Sequence, residues 1–272
     1  MEILYRNFTK LLSIGVFETD KSIEDMSEFK WNKLLNIAGT YKVKDHVCFG
    51  IVKSDNKQIP ENIYRLAKNN ISNKEESKAT TNYHFTSGSQ LKEFSCFNLN
   101  RRLNKLIFNE IHSIDTSIDS LILLKKLIDN INNLLNRGVD INKLADLGKY
   151  LREYGDKIDF VKVESWIKIL NIRNMCTLIG CMLIRLFSFE IDELPFIKQI
   201  NDKFQQKTDK ILKQNITLQP VLQQEINENS GQGINPISKP NTSPLKFFRY
   251  FPAETTCRFI SNIMKSLSNI DE

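Results

Sequence analysis

The side chains that could bind a metal ion are scattered along the sequence. His46, Cys48, His84, Cys96 and His112 carry the nitrogen and sulfur donors that zinc prefers. They form no compact ligand pair such as CxxC or HxxxH, and most fall in separate predicted segments, so nothing in the sequence brings them together. The sequence therefore predicts partly buried histidines and structural cysteines, with no metal and no other cofactor.

No motif for nucleophilic or nucleotide chemistry is present. The chain lacks a G-x-S-x-G elbow, and none of its three histidines has a neighbouring serine or cysteine in a recognised pattern. The GQG sequence at Gly231–Gly233 has no predicted strand before it and no predicted helix after it, which favours a linker. No catalytic residue is predicted, although an enzyme whose site is assembled from distant residues stays an alternative.

Three carboxylates lie close together just before Pro195. Glu190, Asp192 and Glu193 could bind Mg²⁺ or act as acid and base. They also stand where negative charge stabilises the start of a following helix, which Pro195 would begin and which would run to about Gln214. We favour this capping role.

Six basic side chains could contact phosphate. They form one group on a predicted helix near residue 100 and a second stripe near residue 207, namely Arg101, Arg102 and Lys105, then Lys203, Lys207 and Lys210. A solvated helix face is the commoner explanation of such groups. The net charge of +6 is dispersed, and no helix-turn-helix, RNA-binding sheet or basic zipper signature is present. These observations make nucleic acid the second and weaker interpretation of the six basic side chains.

The sequence SPLKFFRYFPAE, at 243–254, places aromatic and basic side chains together in a polar tail. Its candidate docking residues are Phe247, Phe248, Arg249, Tyr250 and Phe251. Burying one large aromatic side chain stabilises by about 1.5–3 kcal/mol, and an exposed cluster invites aggregation, so these side chains need a docking surface. That surface could be the protein's own bundle, a groove on a partner protein or an anionic membrane.

The elements around these residues are predicted to be helices. The chain has 272 residues, of which 41% are hydrophobic, 26% are charged and only 10 are glycine. This composition favours long helices over a turn-rich sandwich. We predict an all-α fold, a bundle of about seven to nine helices with a flexible C-terminal linker and a short terminal amphipathic helix. That last helix carries a recurring set of apolar residues, Phe259, Ile260, Ile263, Met264 and Leu267.

Changes in composition divide the chain into five regions. We predict an N-terminal helical region, a loop or linker, a central bundle, a flexible linker and a docking segment, at 1–71, 72–90, 91–214, 215–245 and 246–272. Residues 41–52 fit either a strand or a helix, and the lack of a pairing partner favours the helix.

Local signals mark several helix ends. Gly39 is a plausible C′ residue of a helix, and Thr116 with Asp119 resembles a capping box. Asp140 and Asp159 can each cap a helix. Apolar residues before residue 137 lie on two faces of their helix, so that helix is predicted inside the bundle and paired with the next as an antiparallel hairpin.

The five cysteines indicate a reducing compartment. Their number is odd and their spacing irregular, which predicts reduced thiols. The first residues predict a structural helix and not a signal peptide. The most apolar run, at 175–187, has 13 residues including Arg185, too short for a membrane span of about 20 residues. We expect a cytoplasmic protein without a transmembrane segment, and the oligomeric state stays open.

One segment resembles a known family. The stretch WIKILNIRNMCTLIGCMLIRLFSFEIDELPF, at 166–196, is similar to part of an uncharacterised bacterial protein family of unknown function, over residues 159–197. The resemblance implies a helical, cytoplasmic bacterial protein and carries no functional residue. The function that the sequence favours is a nonenzymatic interaction or regulatory protein with a C-terminal docking segment. A nucleic-acid-associated accessory protein and an enzyme of unrecognised class are the alternatives.

Overall fold

Helices form the whole regular architecture of the described residues. The computed structural model describes residues 3–54, 59–72, 92–197, 200–214 and 244–268. This part of the chain contains 11 α-helices and no β-strand. In chain order they are α1 (Ile3–Phe17), α2 (Glu28–Thr40), α3 (Lys44–Lys53), α4 (Glu61–Ser72), α5 (Phe97–Ile111), α6 (Ile118–Asn136), α7 (Ile141–Tyr154), α8 (Phe160–Ile169), α9 (Arg173–Phe187), α10 (202–214) and α11 (Pro252–Ser268). The all-α prediction is confirmed, with slightly more helices than expected.

Helix α6 lies inside the bundle because both of its apolar faces are covered. Leu123, Leu124, Leu127 and Ile131 are all buried. The helix packs against α7, α8 and α9. Helix α9, the most apolar run of the sequence, also contacts α1 and α7. These five contacts make α6 and α9 the centre of the hydrophobic core.

Two glycines let α1 and α3 cross with their backbones in contact. A Cβ atom on Gly15 would lie 1.8 Å from the carbonyl oxygen of His46, and one on Gly50 would lie 2.3 Å from that of Leu11. Only glycine fits at such a crossing, because any side chain would push the two helices apart. The helix over Lys44–Lys53 confirms the helical alternative for residues 41–52.

The first helices share one hydrophobic core with the later ones. Phe8 and Leu11 of α1 belong to the same cluster of buried residues as Leu183 of α9 and Phe251 near the C-terminus. The predicted loop at 72–90 and the predicted linker at 215–245 fall almost entirely outside the described residues. Two residues of the linker, Pro244 and Leu245, begin a short 3₁₀ turn that ends at Phe247.

The predicted helix start at Pro195 is wrong. After α9 ends at Phe187, the chain makes tight turns, and α10 begins at 202. Leu194, Phe196 and Ile197 are all buried here, and a Cβ on Gly180 would lie 1.8 Å from Ile197 Cδ1. Three apolar side chains in four residues are buried together more readily by a turn than by one face of a surface helix.

Candidate interaction site

The C-terminal aromatic residues divide between the protein's own core and its surface. Phe247 and Phe251 are buried, and the ring of Phe251 meets that of Phe94 edge to face at 5.9 Å between centroids. Phe248 is 52% exposed, and Arg249 is exposed as well. The sequence left three docking surfaces open. Phe247 and Phe251 dock on one of them, the protein's own bundle.

Helix α10 holds the segment just before α11. The ring of Phe204 packs edge to face on Tyr250 at 5.6 Å. The ammonium of Lys207 lies 5.4 Å from the ring centre of Phe247 and donates a hydrogen bond of 3.3 Å to the carbonyl of Lys246. Burial and the neighbouring cations lower the pKa of Lys207. This lysine is therefore part of the protein's own packing.

Glu254, in the first turn of α11, caps the start of α5. Its side chain is fully buried. The two carboxylate oxygens accept hydrogen bonds from the backbone N–H groups of Ser95 at 2.7 Å and Cys96 at 3.0 Å. Cys96, the residue just before α5, provides no side-chain cap, and this distant carboxylate places its negative charge at the helix start, which favours it, through the N–H groups of Cys96 and of the residue before it.

Arg258 completes a buried polar network one turn later. Its Nε donates to Glu254 Oε1 at 2.6 Å, and its two terminal nitrogens donate to the side-chain oxygens of Asn136 and, at 2.6 Å, Asn132 at the end of α6. Asn132 in turn donates to the backbone carbonyl of Glu93 at 2.9 Å. We call Asn132, Asn136, Glu254 and Arg258 the polar socket. Each charge in it is paired and hydrogen-bonded, as buried charges must be.

The polar socket fixes which side of α11 faces the bundle. A helix turns by about 100° per residue, so the inward direction set by Glu254 and Arg258 puts the apolar residues on roughly the opposite side. These are Phe259, Ile260, Ile263 and Met264, which we call the apolar stripe; they are 40%, 51%, 42% and 66% exposed. A surface helix ordinarily buries its apolar side and exposes its charged side. In α11 the arrangement is reversed.

The far end of α11 extends away from the bundle. Ser261 is half-buried, and Asn262 and Ser266 are exposed together with the stripe. No residue from Phe259 to Met264 is buried. The described part of this end of the helix therefore exposes its apolar side chains to solvent.

Two thiols lie together beside the socket. Cys257 contacts Cys96, the residue whose backbone Glu254 binds. Burial, this contact and the charge of Glu254 raise the pKa of Cys257 to about 11. All five cysteines are free thiols.

The candidate metal and acid–base residues do not converge among the described residues. His112 is exposed and its Nδ1 lies 2.7 Å from the carbonyl of Phe108, while His46 is half-buried between helices and burial lowers its pKa. His84 falls outside the described residues. The part of the chain that the structure describes holds no group of three or more residues that could bind a metal ion.

Of the three carboxylates before Pro195, Glu193 holds local structure, whereas the side chains of Glu190 and Asp192 are exposed. Glu193 accepts two hydrogen bonds from Arg152, at 2.8 and 3.2 Å, and one from the backbone N–H of Glu190 at 2.8 Å. Burial opposes ionisation, but these hydrogen bonds lower the pKa of Glu193. The carboxylate therefore holds a turn in place. It does not cap a helix as the sequence suggested, because α10 begins only at 202.

The six candidate phosphate ligands are divided over the surface. Arg102 and Lys105 line a groove between α5 and α8, whereas Lys207 packs under the C-terminal aromatic residues. The other three are exposed, namely Arg101, Lys203 and Lys210. None of the described helices is long and apolar enough to cross a membrane.

Comparisons with protein-family models, with curated proteins and with solved structures found no match.

The sequence contains one signal for the polar socket, the spacing of two opposite charges, which is not among the patterns of catalytic residues. Glu254 and Arg258 are four residues apart, the spacing at which opposite charges meet on a helix. Their partners, Asn132 and Asn136, lie more than a hundred residues earlier, and nothing in their surroundings in the sequence marks them.

Proposed function

We propose that this is a nonenzymatic interaction protein that binds a partner protein through the apolar stripe of α11. The observation that supports this most strongly is the reversed orientation of the helix. Buried charges hold α11 on the bundle, so its apolar side chains cannot rotate inward without breaking the polar socket. A stripe of apolar side chains held in the solvent favours a binding role.

The partner we infer is a protein with an apolar groove bordered by acidic side chains. The extended end of α11 is exposed on several sides, which suits insertion of a helix into a groove. The exposed charges next to α11 are basic, Lys246 and Arg249, and its one acid, Glu254, is buried. Phe248 and Arg249, predicted docking residues, would extend the contact.

An anionic membrane is a weaker explanation of the stripe. Helices that lie in a membrane surface keep a basic, polar face in water. In α11 the one described cationic side chain, Arg258, is buried and paired with Glu254, and the exposed polar residues at the extended end, Asn262 and Ser266, are uncharged. The free thiols are consistent with a cytoplasmic location for the protein and its partner.

The test uses a variant of the stripe and a matched surface control. Ile263→Ser/Met264→Ser removes two exposed apolar side chains, and Phe29→Ser removes one that is 78% exposed on α2. A partner captured from extracts of the producing cells is purified and its binding measured by calorimetry. We expect at least tenfold weaker binding to the stripe variant, unchanged binding to the control, and unchanged melting temperatures for both.

Two further measurements test the other occupants of the apolar stripe, a second copy of the chain and a membrane. Sedimentation shows whether the stripe binds a second copy, and co-sedimentation with phosphatidylcholine–phosphatidylserine vesicles shows whether it binds a membrane. Stripe-dependent self-association or vesicle binding would overturn the proposal of a partner protein. Partner binding that is equal for the stripe variant and the wild type would do so as well.

A further inference from the structure

A groove of about 500 Å³ runs between α5 and α8, on a part of the surface that the interaction site does not use. Its apolar wall is formed by Leu106, Trp166 and Ile169. Leu106 and Trp166 are buried, and Ile169 is half exposed. The size falls in the range of roughly 300–1,000 Å³ that small-molecule sites occupy.

Two cations without an acidic partner among the described residues border this groove. Arg102 and Lys105 are three residues apart on α5, a spacing that places them on one side of the helix. No carboxylate of the described residues lies within ion-pair distance of either. Arg102 donates one hydrogen bond of 3.4 Å to the carbonyl of Ile169, which directs the guanidinium across the groove towards α8. Like charges at this spacing repel, and an anion between them would remove the repulsion.

The one acid in the groove is already neutralised. Glu110 is buried, accepts a hydrogen bond of 2.9 Å from the ammonium of Lys162 and accepts a second, of 2.8 Å, from the backbone N–H of Ser117. The groove therefore has a net positive charge. Asn109 and Ser113 add an amide and a hydroxyl that can donate hydrogen bonds, whereas the hydroxyl of Ser165 donates to the carbonyl of Lys162 at 2.8 Å.

We propose that this groove binds a small organic phosphate, with the phosphate between Arg102 and Lys105 and its apolar body along Leu106 and Trp166. A guanidinium binds two phosphate oxygens with matched geometry, and a nearby ammonium adds a second charge. A phosphate monoester carries nearly two negative charges at neutral pH, which matches the two cations. The proposal is independent of the apolar stripe.

The experiment measures binding of phenyl phosphate to the full chain by calorimetry. Three compounds each lack one feature of phenyl phosphate. Inorganic phosphate lacks the apolar body, benzyl alcohol lacks the anion, and benzoate lacks the second negative charge. We expect phenyl phosphate to bind at least tenfold more tightly than each of the three. Arg102→Gln and Lys105→Gln should each weaken binding about tenfold or more.

The matched control is Arg101→Gln, which removes the same charge from the neighbouring position of α5 outside the groove and should leave binding unchanged. Ser165→Leu fills the groove without changing a charge and should abolish binding. Equal losses for Arg101→Gln and Arg102→Gln would overturn the proposal, because they would indicate nonspecific attraction to positive charge. The absence of saturable binding, or binding by the Ser165→Leu variant, would also overturn it.

Discussion

Glu254 and Arg258 form an ion pair whose side chains are 0% and 7% exposed, with Nε and Oε1 2.6 Å apart. The pair joins three parts of the chain, because the carboxylate binds the start of α5 and the guanidinium binds the end of α6. A buried pair of this kind contributes little net stability compared with apolar residues, but it strongly disfavours any arrangement that leaves one charge alone. It therefore specifies the orientation of α11.

Replacing one partner of this pair should release α11. In Glu254→Gln the buried Arg258 loses its counter-ion, a change that costs about 3–5 kcal/mol in comparable cases. We expect amide hydrogen exchange in α11 to become at least tenfold faster. The double variant Glu254→Leu/Arg258→Met, which leaves no unpaired charge, should be less affected than the single one.

A surface pair with the same spacing provides the control. Glu61 and Arg65 are also four residues apart, with an N–O distance of 3.0 Å, but their side chains are 77% and 75% exposed. Such pairs contribute little, so Glu61→Gln should leave the melting temperature and the exchange of α11 unchanged. Equal effects of Glu254→Gln and Glu61→Gln would show that the socket is not buried.

The aromatic residues near α11 should differ sharply in their contribution to stability. Phe251 is 0% exposed and Phe248 is 52% exposed, although they are three positions apart. Removing a buried phenylalanine side chain costs about 3–5 kcal/mol. Phe251→Ala should therefore lower the melting temperature or release α11 to proteolysis, and Phe248→Ala should do neither. A large effect of Phe248→Ala would contradict the placement of the segment.

The glycines at the crossing of α1 and α3 should not tolerate alanine. Gly15→Ala and Gly50→Ala place a methyl group against backbone atoms of the other helix, and overpacking of this kind typically costs about 1–3 kcal/mol. Gly39→Ala is the control, since a Cβ there meets nothing within 4 Å. In a helix this change should stabilise by about 0.5–1 kcal/mol. Urea unfolding measures all three.

Local signals predicted the elements of the fold well where the deciding contacts are local. Asp140 and Asp159 each accept a hydrogen bond from the third residue of the helix that they precede, as their positions indicated. Both apolar faces of α6 are buried, as expected for an interior helix. These features depend on residues within one or two turns of each other, so the sequence contains the information.

Signals failed where a distant residue takes over the local role. The expected capping box of Thr116 and Asp119 does not form, because Glu110 from α5 accepts the hydrogen bond of the Ser117 N–H while Asp119 binds the hydroxyl of Tyr150. Gly39, the predicted C′ residue, lies within α2. The left-handed residue that follows the helix is Lys42, with φ of 57°.

The orientation of α11 is a further case of this kind. Its amphipathic pattern identifies a helix, but the side that faces the bundle is decided by Asn132 and Asn136. Those contacts span more than a hundred residues and have no signature in the sequence. For the same reason the sequence named Arg102 and Lys105 as phosphate ligands but could not place Trp166 and Ser165 opposite them.

The two thiols beside the socket should show a strong pH dependence of oxidation. The thiolate is the reactive form, and burial together with the contact to Cys96 raises the pKa of Cys257 to about 11. A raised pKa means that less thiolate is present at a given pH. Oxidation by diamide should therefore be slow at neutral pH and should accelerate through the alkaline range below that pKa. A rate that is independent of pH would contradict this environment.

The most direct test of the orientation of α11 is formation of a disulfide between Cys96 and Cys257, measured by mass spectrometry of peptides after oxidation with diamide, which accepts the two thiol hydrogens. The wild type should form this bond within the monomer. A variant with Cys257→Ser and Thr256→Cys, which moves the thiol by one position to the exposed side of the helix, should not bond to Cys96. The oxidation is run in the alkaline range in which the Cys257 thiolate forms. If both proteins then form the bond equally, or neither does, α11 does not bind the bundle through its charged side.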